Sequence, residues 1–162
     1  MPTEQAGNDP KFMIRNASPE DAATLTTIAL DAKRYWGYPE HWIKHWESDL
    51  TISAEYIQDN HVYVAEENGE IRGFYALCVA GDKAELDHMW VKPEAIGTGA
   101  GKELFLHAME RAAKLNVEAV EISSDPNAAG FYKHMGATQI GEVDAPIDGA
   151  PERKLPRLKI NP

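Results

Sequence analysis

The 162-residue chain is 43% hydrophobic and 26% charged, the balance of one globular domain with a substantial core. Its formal net charge of −10 argues against a nucleic-acid partner held by phosphate neutralisation. No apolar run approaches the roughly 18 residues that span a bilayer, and residues 1–10 are polar and small, unlike a secretory signal.

No membrane partner is therefore expected, and the cytoplasm is the default location. The acidic excess is concentrated in residues 1–81, which suits a cationic partner as well as a solvated surface. The single cysteine, Cys78, excludes an intrachain disulfide and any multi-cysteine metal site. It falls in the apolar run 74–80 and reads as a core residue.

In chain order, residues 1–10 read as a flexible N-terminal tail and residues 11–162 as a single domain. A short strand over 12–16 precedes Ser18-Pro19-Glu20-Asp21, a helix-start signal with a capping serine, proline at the first helical position and Asp21 at the reciprocal position. Leu25, Ile28 and Leu30 give that helix an apolar side, to about Lys33. Gly37-Tyr38-Pro39 breaks the chain, and 39–47 reads as a second helix. Strands over 61–66 and 70–79 flank the turn Asn68-Gly69, and Gly81-Asp82 turns into a third over 83–91. These short connections predict an antiparallel meander.

Past Pro93 a glycine-rich loop leads into a helix over 102–115. Leu104, Phe105, Ala108, Met109 and Ala112 form its buried side, and Glu103, His107, Glu110 and Lys114 its surface stripe. A strand over 117–123 follows a crossover and is expected to pair parallel to the strand before the loop. Asp125 is expected to cap a helix running from Pro126 to near Gly136. Strands over 137–143 and 153–160 end the pattern, the last on an edge because of Pro156. The order predicts a mixed α/β (α+β) sheet, mostly antiparallel, of six to seven strands with about four helices.

Ile96-Gly97-Thr98-Gly99-Ala100-Gly101-Lys102 lies between a strand and a helix, where successive N–H groups hold phosphate. A Walker A loop needs glycine where Ile96 stands and Ser or Thr where Glu103 stands; a Rossmann loop needs glycine where Lys102 stands. Both fail. Residues 85–102 instead resemble the signature of the GNAT superfamily of N-acetyltransferases. Met89-Trp90-Val91-Lys92-Pro93 matches its strand end, and Gly99-Ala100-Gly101 its glycines. Downstream, Ala128, Phe131, Tyr132 and Gly136 match a second signature, Asn-x-x-Ala-x-x-Phe-Tyr-x-x-x-Gly-Phe, in register. Three positions depart: Ile96 replaces Gln or Arg, Thr98 replaces a frequent arginine, and Asp125 replaces the Asn.

The resemblance implies an acyl-CoA N-acyltransferase domain over 11–162, with two central parallel strands splayed around acetyl-CoA as cosubstrate. It places the pantetheine against the main chain of Met89, Trp90 and Val91, and the pyrophosphate against Gly97, Thr98, Gly99, Ala100, Gly101 and Lys102. Asn127 would reach the coenzyme in place of the Asn that Asp125 replaces, and Tyr132 would touch the cofactor as general acid. Glu85 is the first candidate for the base. Asp87 shares its strand face by period two, and His88 falls on the other unless a bulge intervenes.

Trp36, Tyr38 and Trp42 are expected at the acceptor, taken as a small-molecule amine, though no residue excludes a peptide or protein. His41 and His45 lack a third ligand, so no metal is expected. A homodimer is compatible with the resemblance. The departures at Ile96, Thr98 and Asp125 keep open a second reading, a noncatalytic acyl-CoA-binding regulatory domain.

Overall fold

The structure, a computed structural model, describes residues 11–162; the tail expected over residues 1–10 lies outside the described residues. β1 (Met13–Asn16) leads into a 3-10 turn (Pro19–Asp21) and α1 (Ala22–Tyr35). The Asp21 carboxylate accepts the Ser18 N–H at 2.8 Å and pairs with Arg15 at 2.9 Å, so the helix start is tied both to its own cap and to β1. α2 (Glu40–Leu50) follows, and then α3 (Ala54–Asp59), which the sequence pattern does not announce. α3 has a single buried residue, Ile57, too few for a periodic stripe. Its start is nonetheless capped by the Ser53 hydroxyl, which accepts the Tyr56 N–H at 3.0 Å.

β2 (His61–Glu67), β3 (Glu70–Ala80) and β4 (Lys83–Val91) form the antiparallel meander. α4 (Ala100–Lys114) crosses over to β5 (Ala119–Ser123), and α5 (Ala129–His134), β6 (Thr138–Asp144) and β7 (Lys154–Ile160) complete the chain. The seven strands lie in the order β1-β2-β3-β4-β5-β7-β6, and β4–β5 is the parallel pair. Five α-helices thus accompany the sheet where about four were expected; α3 is the addition.

Helices cover both sheet faces, so β3 is buried on both sides and carries an almost unbroken apolar run. Tyr75 and Leu77 pack with Leu104, Phe105 and Ala108 of α4, whereas Phe74 and Ala76 pack with Leu25, Ile28 and Ala29 of α1. Gly73 sits where β3 meets β4 most closely. A Cβ there would stand 2.8 Å from the Trp90 carbonyl oxygen, closer than any side chain tolerates.

Several local expectations are corrected. His107 is not on a solvated stripe: its Nδ1 lies 2.8 Å from the Tyr75 hydroxyl, and its ring centroid is 4.7 Å from that of Tyr63. Cys78 is half-buried rather than in the core, its sulfur 3.4 Å from the Tyr56 hydroxyl. Pro156 is not on an edge, because β7 runs between β5 and β6. Its carbonyl accepts the Ser124 N–H at 2.9 Å just past the end of β5, so its missing N–H costs one bond at the ladder's end. Asp125 does not cap α5, which begins at Ala129 with Ala128 as its N-cap residue.

Candidate active site

β4 and β5 run together only briefly. Lys83, Ala84 and Glu85 pair with Ala119, Val120 and Glu121, and from Leu86 onward β4 has no β5 partner. The Lys92 N–H donates to Arg72 of β3 at 2.8 Å. Successive residues of a strand turn their main-chain groups to opposite sides, so those of Met89 and Val91 face the gap left by β5.

A cleft of about 370 Å³ opens there. Its walls are Met89, Trp90 and Val91 on one side and Asp125, Asn127, Ala128, Phe131 and Tyr132 on the other, with Tyr35 at the end of α1 and the following Trp36 at the rim. The glycine loop closes one end through Gly97, Gly99, Gly101 and Lys102.

The loop's conformation follows from its sequence. A 3-10 turn over Pro93–Ala95 stops β4, and Gly97 and Gly99 take φ of +81° and +93°, where a side chain is disfavoured. Gly99 is the N-cap of α4, and the first helical bond runs from the Glu103 N–H to its carbonyl at 3.0 Å. The N–H groups of Ala100, Gly101 and Lys102 therefore have no acceptor within the helix. With the positive end of the helix dipole they form an anion-binding terminus. Thr98 and Ala100 do not line the cleft: the Thr98 hydroxyl donates to the Ala95 carbonyl, and the Ala100 side chain is buried beneath the loop.

Tyr132 is 6% exposed and lines the cleft. Burial, reinforced by the negative charge of Asp125, pushes its phenol well above the ordinary value, so the group keeps its proton. Among the described residues no hydrogen bond occupies its hydroxyl.

The three β4 candidates for the base all lie on the face opposite α4. Leu86 opposes Leu77 and His88 opposes Ala76, which leaves Asp87 as an extra, bulged residue. Asp87 and His88 both meet Tyr56 as a result, one through a 2.5 Å hydrogen bond and the other through rings 5.7 Å apart. The expectation that His88 faces away from Glu85 and Asp87 is thus corrected. None of the three lines the cleft.

Glu85 is held in a bidentate pair by Arg157 at 2.6 and 2.7 Å, and the same guanidinium reaches Glu121 at 3.0 Å and the Ser123 hydroxyl at 2.8 Å. The Trp90 indole donates to His88 Nδ1 at 3.0 Å, which puts the imidazole proton on Nε2. Burial pushes the His88 pKa down, and its ring is neutral near pH 7.

Of the residues expected at the acceptor, Trp36 is at the cleft rim, while Tyr38 and Trp42 stack on each other at 5.8 Å behind it. The Tyr38 hydroxyl lies 3.1 Å from both Asp125 oxygens, and the Trp42 indole donates to the Asp148 carbonyl at 2.8 Å.

The sequence pattern does not mark Lys33, Arg153 or Arg157 as site residues. Lys33 Nζ lies 2.5 Å from Asp125 Oδ2 with both side chains at 10% exposure or less. Its sequence signal is its place four residues after the buried Ala29, on the apolar side of α1. Burial alone would raise the Asp125 carboxyl; Lys33, the Asn127 N–H and Tyr38 outweigh it and hold it below the ordinary value.

The model of the acetyltransferase (GNAT) family matches residues 25–137. The 5-NmdU N-acetyltransferase of Pseudomonas phage PaMx11 is 31% identical over 138 residues, covering 81% of this chain and 90% of that protein. The peptidyl-lysine N-acetyltransferase YiaC of Escherichia coli (strain K12) is 26% identical over 125 residues, covering 76% and 82%. Among solved structures, the PaiA N-acetyltransferase of Thermoplasma acidophilum in complex with coenzyme A superposes with a TM-score of 0.76. It is 24% identical and covers 94% of this chain and 100% of that one.

Proposed function

The chain belongs to the GNAT acetyltransferase family, and from that premise we propose that it moves an acetyl group from acetyl-CoA directly to a small-molecule amine within a ternary complex. The observation that carries this reading is the cleft left where β5 parts from β4, with main-chain groups of Met89 and Val91 turned into it. The residues present fit the cosubstrate. The cleft offers strand-like main-chain pairing to a pantetheine arm, the free N–H groups at the α4 start to a pyrophosphate, and Lys102 as an added cation. Asn127 stands in the opposite wall, while Asp125 is engaged by Lys33 and Tyr38.

Bound acetyl-CoA supplies an activated thioester. The residues handle its protons: as the amine nitrogen bonds the carbonyl carbon and the C–S bond breaks, the Tyr132 hydroxyl gives its proton to the departing sulfur. Only the free amine attacks, so one ammonium proton leaves first, toward the β4 face, and the proton shed by nitrogen as the amide forms restores the Tyr132 phenol. His88 is unsuited to take the ammonium proton, since Nδ1 is occupied by Trp90 and Nε2 carries the proton. Both Glu85 oxygens are engaged by Arg157, whereas no hydrogen bond among the described residues reaches Asp87 Oδ1. We therefore assign the base to Asp87, which lies outside the cleft lining and takes the proton through water, with Glu85 and Arg157 as a fixed charge pair at the foot of the splay.

The test is thermal stabilisation by acetyl-CoA and CoA, with ATP and NAD as controls, followed by thiol release with amines. Ligand at 100 times its dissociation constant should add about 2.7 kcal/mol. Tyr132→Phe should keep that stabilisation and lose about 100-fold or more in kcat. Absence of any CoA-dependent shift at millimolar ligand would remove the reading. Full turnover by Tyr132→Phe would remove the acid role alone.

A further inference from the structure

Behind the Asp125 wall of the cleft, two cations flank the Trp46 ring, and of the two only Lys33 pairs with the Asp125 carboxylate among the described residues. Arg153, at the start of β7, holds its guanidinium 4.9 Å from the Trp46 ring centroid and 5.7 Å from that of Tyr38. Lys33 Nζ is 4.2 Å from the same Trp46 ring and 5.9 Å from that of Trp90, which lines the cleft. Asp125 is the anion of the group, and it is saturated by Lys33, Tyr38 and Asn127.

Arg153 is different from most of the arginines. Arg15, Arg34, Arg72 and Arg157 each have a carboxylate partner. Arg111 and Arg153 have none among the described residues, and each buries one nitrogen without a hydrogen-bond partner; of the two, Arg153 is the one over Tyr38, which bonds the cleft residue Asp125. A buried unpaired donor is destabilising, the more so when charged. The aromatic faces of Trp46 and Tyr38 offset part of that cost, and the Tyr38 hydroxyl, which the guanidinium approaches, is already engaged by Asp125 and Asn127. The cluster is left with one surplus positive charge in a protein whose formal net charge is −10.

We infer that Arg153 receives an oxyanion of the acceptor. The inference rests on the proposed acetyl transfer and narrows its substrate to small amines that also carry a carboxylate or a phosphate. A guanidinium fork suits either group through paired N–H donors, which an ammonium does not offer. Asp125 lines the cleft, the Tyr38 hydroxyl bonds it, and Arg153 stands over the Tyr38 ring, so the cation lies one layer of side chains beyond the cleft wall.

The experiment uses product-like probes with the protein saturated by CoA, which fills the anion-binding start of α4. N-Acetylglycine, N-acetyl-β-alanine and N-acetyl-γ-aminobutyrate span the carboxylate arm, O-phospho-N-acetylethanolamine is the phosphate arm, and N-butylacetamide is the neutral control. Binding is followed by tryptophan emission, since Trp46 lies beside Arg153. At least one anionic probe should bind tenfold or more tighter than the neutral amide. Arg153→Met should abolish that preference and Arg153→Lys should retain part of it.

Equal binding of neutral and anionic probes, or an anionic preference that survives in Arg153→Met, would overturn the inference. Stabilisation by CoA in the same samples reports on the cleft by itself. Its loss in the wild type would indict the proposed function rather than the role of Arg153.

Discussion

The Lys33–Asp125 pair joins α1 to the β5–α5 connection and so fixes one wall of the cleft against α1. Unit charges 2.5 Å apart attract by roughly 7 kcal/mol at an effective dielectric near 20. Desolvation of two nearly buried groups takes back several kcal/mol, so the pair's net worth is small. Removing one partner is another matter, because it strands the other charge.

Lys33→Met should therefore cost about 3–5 kcal/mol in urea unfolding. Asp125→Asn should cost less, since Lys33 keeps the faces of Trp46 and Tyr38 and its pKa is already pulled down by burial. The double variant should lose at least about 2 kcal/mol less than the sum of the two. The pH dependence has a definite sign. The folded-state pKa of Asp125 is depressed, so the folded protein binds fewer protons than the unfolded chain between the two values. Its contribution is fully present above the unfolded value of about 3.9 and is lost as pH falls through the folded one. Additive single effects below about 1 kcal/mol, unchanged between pH 7 and pH 3, would refute the reasoning.

Two glycines carry further expectations. Gly73→Ala should destabilise by about 1–3 kcal/mol, because the new Cβ meets the Trp90 carbonyl and Val91 Cα, backbone atoms that cannot swing aside; an unchanged urea midpoint would contradict this. Gly99→Ala meets open space but forces a side chain onto a φ of +93°, so about 1–2 kcal/mol of strain is expected. Isothermal titration should show weaker acetyl-CoA binding as the loop relaxes; unchanged affinity would mean that its donors are not used.

The parts of the fold that were legible in the sequence are those where one residue pattern serves one packing face. The β2–β4 meander and α4 were readable because their partners lie nearby or repeat with a clean period. The errors occur where a distant group intervenes. Asp125 carries the chemistry of a helix cap, yet a lysine 92 residues away in sequence claims its carboxylate, and α5 starts later. His107 has the helical phase of a solvated residue, but Tyr75 from β3 gives it a buried partner. Pro156 signals an edge only if its neighbour is long enough to need the missing N–H, and β5 ends first.

For the candidate site, the loop and the aromatic second signature were legible and the acid–base geometry was not. Period-two counting puts Glu85 and Asp87 on one face and His88 on the other. A single extra residue at Asp87 breaks that count, because after a bulge every later side chain changes face. The same slip turns Met89 and Val91 toward α4 and Trp90 toward α1, and so composes the cleft wall from both cores. Nothing in residues 83–91 marks the bulge, which shows only in the register against β3 opposite. The choice among Glu85, Asp87 and His88 then falls to partners that spacing does not reveal. Arg157 from β7 closes Glu85 and the Trp90 indole closes His88, while Tyr56 from the unannounced α3 holds one Asp87 oxygen and leaves the other free.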